Sequence, residues 1–207
     1  TYQVCYQLVA GHPDAATADE FGLGGGASSL QYLSRTGVLA IRGVDDVAEY
    51  TDVTAAMDAI GVAATEAEAL WRALGGILHL GNLQFDGDKG EDARACAGTA
   101  MHLERAAALL GVEPALLTNN LLKRSLVLPG QGRTETPRKV EEAGLARDAL
   151  AKAVYAALFE LVAGSAAHTR SVPTAPSARG VHSARPKPVH GVRAAGRRAD
   201  QRLAARA

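Results

Sequence analysis

From Thr65 to Gly81 the sequence reads TEAEALWRALGGILHLG, and no other stretch restricts the fold so tightly. Ala67, Leu70, Trp71, Leu74, Ile77 and Leu78 recur at helical spacing, in a stripe too wide for a helix that merely lies on a surface. Such a helix needs neighbours on several sides, so the fold must be an assembly of helices built around it. Thr65 and Glu68 predict a capping box at its start, and Gly81 predicts its stop in a left-handed cap.

The neighbours are legible on either side. Asp46 and Glu49 predict a second capping box, followed by an apolar row at Tyr50, Val53, Met57 and Ile60 that Gly61 closes. Thr99 predicts the cap of a third helix carrying Met101, Leu103, Ala106, Leu109 and Leu110 up to Gly111. A shorter helix begins near Pro114, whose missing N–H costs nothing in a first turn. A long helix is expected from Pro137. Its rows Leu150, Val154, Leu158, Leu161 and Tyr155, Phe159, Val162 predict burial over more than half its circumference, and Asp148 four residues before Lys152 predicts an ion pair. "NLQF" and "RSLVL" read as short strands. With aromatic content of only 4% and abundant alanine, the fold class is mainly α with a few short strands.

Charge divides the chain. Lys and Arg number 13 against 21 Asp and Glu up to Gly164, a balance of −8; from Ser165 onward they number 9 against 1, a balance of +8. The second part lacks Ile, Met, Phe, Tyr and Trp, so it cannot bury enough apolar area to offset backbone ordering of about 1–2 kcal/mol per residue. Residues 1–163 are therefore expected to fold, and residues 164–207 to form a disordered Pro/Ala/Arg-rich basic tail. With no aromatic interleaved to stack on bases, nucleic acid is not the expected partner of that tail.

The individual motifs are mostly quiet. Cys5 and Cys96 form no C-x-x-C pair, which points away from a disulfide framework or structural zinc and toward a reducing interior. No apolar run approaches the roughly 20 residues that cross a bilayer. Gly22 to Ala27, GLGGGA, fits G-x-G-x-x-A in letters only, and a flexible loop is expected. His79, in the last turn of the Trp71 helix, reads as a packing or capping residue whose partial charge the helix dipole favours; His12, before Pro13, reads as turn chemistry. The segment PGQGRTETPRK, Pro129 to Lys139, gathers Arg133, Arg138 and Lys139 in a loop between a strand and a helix. No catalytic residue or metal ligand is identified.

Several blocks carry a resemblance. YQVCYQLVAG, GVDDVAEYTDVTAAMDAIG, LWRALGGILHLGNLQF, LERAAALLGVEP and RDALAKAVYAALFELV resemble, in order and spacing, one stretch of the myosin motor head. ILHLGNLQF and ARDALAKAVYAALF are the distinctive blocks; Gly22 to Ser29 is the looser part. The resemblance implies a partial motor domain, the upper half of the actin-binding cleft (the upper 50K subdomain), belonging to a cytoplasmic, cytoskeletal motor. It implies that the long helix leads toward the second switch, coupling cleft closure to phosphate release. It implies an actin-facing loop at Gly130, Gln131, Gly132, Arg133, Thr134, Glu135, Thr136, Pro137, Arg138 and Lys139, and a second at Asp86, Gly87, Asp88, Lys89, Gly90 and Glu91. Actin and the rest of the heavy chain are the implied partners. ATP and Mg²⁺ are implied for the complete motor, an actin-activated ATPase. They are not implied for this span, which holds no G-x-x-x-x-G-K-[ST], no first-switch motif and no D-x-x-G-F-E, and is expected to be inactive alone. The alternative is a helical protein-interaction module that keeps the scaffold without ATPase activity.

Overall fold

The computed structural model describes residues 2–12, 20–88, 90–128 and 132–171. Its helices are α1 (Val4–Gly11), a single turn α2 (Gln31–Ser34), α3 (Asp46–Ala59), α4 (Ala64–Gly81), α5 (Ala100–Leu110), α6 (Pro114–Leu122) and α7 (Val140–Ser171). Two antiparallel ribbons complete it: β1 (Phe85–Asp86) with β2 (Arg94–Ala95), and β3 (Lys123–Leu128) with β4 (Gly132–Pro137). The mainly helical class expected from composition is what forms.

α4 is the hub. From Leu74 to Gly81 every residue is buried, and α1, α3, α5 and α7 all pack on it. Leu78 and Leu80 are fully enclosed. Each is worth about 1.5–3 kcal/mol relative to exposure, more than any surface ion pair at about 0–1 kcal/mol. The start of α4 lies earlier than Thr65: Ala63 is the N-cap, and the Glu66 carboxylate accepts from the Ala63 N–H at 3.0 Å. Gly81 is no left-handed cap either. It is helical and buried, and a Cβ there would meet the Tyr32 ring at 2.6 Å, so its side chain is absent to let α2 approach.

Where α3 hands over to α4, sequence and structure agree. Gly61 has φ +84°, its N–H donates to Asp58 O at 2.9 Å, and Val62 N–H donates to Met57 O at 3.0 Å. Val62 and Met57 are both buried, completing a Schellman motif with its hydrophobic contact. Gly111, φ +68°, ends α5 in the same way, with Val112 N–H on Ala107 O at 2.9 Å. At the other end of α3 the cap is Asp45 rather than Asp46, accepting from Val47 and Ala48 N–H, while Glu49 receives Gln7 Nε2 at 3.5 Å. Thr99 does stand at the N-cap of α5, but its hydroxyl donates to Cys96 O instead of accepting from the helix.

α7 departs most from expectation. It begins at Val140, because Pro137 still belongs to β4, and the Glu142 carboxylate accepts from Lys139 N–H at 3.0 Å. It runs past Gly164 to Ser171, where Ala166 and Ala167 supply helix propensity and Ser165 Oγ donates to Leu161 O. The remaining tail, from Val172, lies outside the described residues. Among the described side chains of α7, only Ala143 and Ala151 are buried. Leu150, Val154, Tyr155, Leu158 and Val162 pack half-buried against the core that holds Trp71, whereas Phe159 is 65% and Leu161 52% exposed. Each row is covered except at one residue, Leu161 in the first and Phe159 in the second. Asp148 binds Tyr32 and Arg147, and no Asp148–Lys152 ion pair occurs among the described residues. By length and composition alone, Val140–Ala167 is long and apolar enough to cross a membrane, contrary to expectation. It packs on α4 and carries polar ties at Arg147 and Asp148.

Candidate functional site

The β3–β4 ribbon grows directly from the end of α6, in the register Lys123↔Pro137, Arg124↔Thr136, Ser125↔Glu135 and Leu126↔Thr134. The sequence reading expected Pro129 to Lys139 to be a loop; residues 132–137 are a strand instead. Among the described residues neither face of the ribbon enters the core: residues 123–126, Thr134 and Glu135 are exposed, Leu126 at 40%. On one face Lys123 pairs with Glu135 at 3.5 Å, both about half exposed, a contact of little energetic weight. The other face presents Arg124, Leu126 and Thr134. Pro129, Gly130, Gln131 and Lys89 lie outside the described residues, and Gly132 and Arg133 are described in backbone only.

The two remaining cations of the predicted loop are tied to neighbouring segments, Arg138 half-buried and Lys139 exposed. Arg138 Nη1 lies among the carbonyl oxygens of Asn120 (2.5 Å), Leu121 (3.2 Å) and Lys123 (2.5 Å), and Arg138 N–H donates to Leu122 O at 2.7 Å. The last carbonyls of a helix have no partner within it and carry the negative end of its dipole, so a guanidinium is well matched there. Lys139 Nζ donates to Gly90 O at 2.6 Å and to Asp92 Oδ1 at 3.0 Å, and Ala93 N–H donates to Arg138 O at 2.8 Å. The structure thus brings the segment of Asp86, Gly87, Asp88, Gly90 and Glu91 against the base of the ribbon.

Two buried polar networks fix the surroundings. At the first, Tyr32 Oη donates to Asp148 Oδ1 at 2.6 Å, Arg147 Nε donates to the same oxygen at 2.8 Å, and Arg147 Nη1 donates to Leu83 O at 2.7 Å. Burial raises the Asp148 pKa, but the hydrogen bonds from Tyr32 and Arg147 outweigh it and hold the carboxyl below its ordinary range. Burial, then Asp148, pushes the Tyr32 phenol upward.

At the second network, fully buried His79 sets Nε2 2.8 Å from Phe21 O and Nδ1 2.8 Å from His102 Nδ1. A carbonyl only accepts, so His79 carries its proton on Nε2, and His102 donates from Nδ1. His102 Nε2 then accepts from Asn82 Nδ2 at 3.3 Å, while Asn82 also donates to Ser29 O and accepts from Gln31 N–H at 2.7 Å. Every group is matched with both rings neutral. Burial first, then electrostatic repulsion from the His102 and Arg105 side, lowers the His79 pKa despite its bond to Phe21 O, against the helix-dipole charge expected there.

The smaller motifs resolve simply. Gly22 to Ala27 leads into one 3₁₀ turn, Ala27–Ser29, not into the helix a dinucleotide loop requires. The His12 ring stacks on Phe21 at 4.6 Å and meets Tyr50 edge-on. Cys5 and Cys96 are free thiols, and burial pushes Cys5 up to about 11, leaving it unreactive at neutral pH. Sequence reasoning missed His102, Asn82, Tyr32 and Arg147, which are tied to partners 20 to 116 residues away, Arg147 to Leu83 as well as to adjacent Asp148.

The described residues thus form a helical hub carrying two antiparallel ribbons. Comparison with known families is decisive on its origin. The family model for the myosin head (motor domain) matches residues 1–176, and the chain belongs to that family. Myosin-16 of Arabidopsis thaliana is 34% identical over 165 residues, which are 77% of this chain and 13% of that protein. The Myosin-K heavy chain of Dictyostelium discoideum is 31% identical over 163 residues, 78% of this chain and 18% of its own length. Myosin heavy chain IB of Acanthamoeba castellanii is 34% identical over 168 residues, 78% and 13% respectively. The chain spans less than a fifth of the length of these relatives.

Proposed function

We propose that this chain is the upper actin-binding-cleft portion of an actin-based, ATP-driven myosin motor, and that the β3–β4 ribbon is its filament-binding surface. One observation carries the reading: among the described residues no side chain of the ribbon is buried, yet the ribbon is anchored firmly at its base by Arg138 and α6. A two-stranded ribbon alone is marginal in water, so a protein that holds one out from its core presents it to something. The face with Arg124, Leu126 and Thr134 offers a cation beside an apolar contact, which suits an acidic filament surface. The segment from Asp86 to Glu91 stands beside it as a second contact. α7, fixed at its first turns by Arg147 and Asp148, is the linkage toward the second switch.

The residues present do not fit a nucleotide or its Mg²⁺. No G-x-x-x-x-G-K-[ST] occurs, the Gly22–Ala27 loop leads to a single 3₁₀ turn, and the described residues contain no group of three or more His, Cys, Asp or Glu placed to hold a metal. ATP hydrolysis is assigned to the complete motor and no step of it to this span. Co-sedimentation of the full chain with filamentous actin over a salt series tests the reading. Saturable binding that weakens with salt supports it, and no sedimentation removes it in favour of an interaction module with another partner.

A further inference from the structure

We propose that Arg138 and Lys139 are positioning residues rather than filament contacts: together they clasp the β3–β4 ribbon to the 86–93 segment, so that both surfaces move and bind as one unit. The binding half of this inference rests on the actin reading above; the clasp itself does not.

The joint between β4 and α7 consists of Arg138 and Lys139 alone, with no secondary structure of its own. Left free it would be a hinge for an otherwise unsupported ribbon. Both residues are tied instead. Arg138 closes the carbonyl end of α6 with its guanidinium, and its own carbonyl accepts from Ala93 N–H at 2.8 Å. Lys139 reaches across to Gly90 O and Asp92, using two of its three donors. The ion pair is half exposed and individually weak, but it closes a ring already begun by the backbone bond to Ala93.

The charge logic separates this from direct contact. If Lys139 touched an acidic filament itself, removing Asp92 would release the ammonium and strengthen binding. If Lys139 is a clasp, removing Asp92 loosens the ribbon and weakens binding.

The test uses the full chain with Asp92→Asn, Lys139→Met and the double variant, read by amide hydrogen exchange and by actin co-sedimentation. Each single variant is expected to speed exchange at Ala93 and along β4 by about two- to five-fold, leave Leu78 in the core unchanged, and be nearly as severe as the double variant. Both are expected to weaken actin binding to a similar degree. Unaltered exchange at Ala93 in both single variants overturns the clasp. Faster exchange with equal or tighter actin binding by Asp92→Asn overturns its role in presentation. If the unaltered chain does not sediment with actin, the interface reading fails while exchange still decides the clasp.

Discussion

His79 Nδ1 lies 2.8 Å from His102 Nδ1, and only one proton fits between them. A second proton on either ring would oppose a donor: His102 Nδ1–H on one side, Asn82 Nδ2–H on the other. Burial, with the Arg105 charge nearby, lowers both pKa values from the ordinary 6.5. The unfolded chain therefore binds protons that the folded one refuses. Stability is complete above about pH 6.5 and falls as pH drops through the folded values. Thermal melts from about pH 7.5 downward should show Tm decreasing on mild acidification. A Tm that is flat or rises over that interval would refute the neutral pair.

The glycines of α4 and α7 should respond to alanine with opposite signs. A methyl at Gly81 would meet the Tyr32 ring at 2.6 Å, and Tyr32 is pinned by its bond to Asp148, so Gly81→Ala should destabilise by about 1–3 kcal/mol. Gly144 lies in α7 with nothing within 4 Å of an added Cβ, so Gly144→Ala should stabilise by about 0.5–1 kcal/mol through helix propensity. Denaturant titrations measure both, and equal signs would contradict the packing described for α4.

Removing the Tyr32 hydroxyl tests how α7 is fastened. Tyr32→Phe keeps the ring and loses the 2.6 Å bond to Asp148, for an expected cost of about 1–2 kcal/mol. Because that bond helps hold the Asp148 carboxyl low, the pKa should rise in the variant, moving acid unfolding to higher pH. A variant as stable as the parent, with the same acid limb, would leave Arg147 as the sole anchor.

Arg124, on the free face of the ribbon, should behave unlike the clasp residues. Arg124→Ala should leave thermal stability within about 0.5 kcal/mol and weaken actin co-sedimentation, with a shallower salt dependence. Unchanged binding would move the contact off this face.

The helical part of this fold was readable because each helix has a buried stripe or a glycine stop that physics requires at one place. Trp71 with its neighbours, and Gly61 and Gly111 with their left-handed φ, are of that kind. β4 was unreadable for the converse reason: Thr134 and Glu135 lie on opposite faces and are both exposed, and the sequence Arg-Thr-Glu-Thr offers no alternation of apolar and polar residues. Gly81 misled because a glycine kept for close packing and one kept for a left-handed turn look alike in sequence. The exposure of Phe159 and Leu161 could not be foreseen, since an apolar row records a need for cover without saying which element supplies it. At the candidate site, flanking blocks located the segment, but the bonds that tie Arg138 to the end of α6 and Lys139 to Gly90 and Asp92 join residues 15 to 49 positions apart and leave no local trace.

The most direct measurement is an amide hydrogen-exchange footprint of the full chain with and without filamentous actin. Slower exchange confined to β3, β4 and the 86–93 segment, with α3 unchanged, is the expected result. Protection around Phe159 and Leu161 of α7, with the ribbon unaffected, would contradict it.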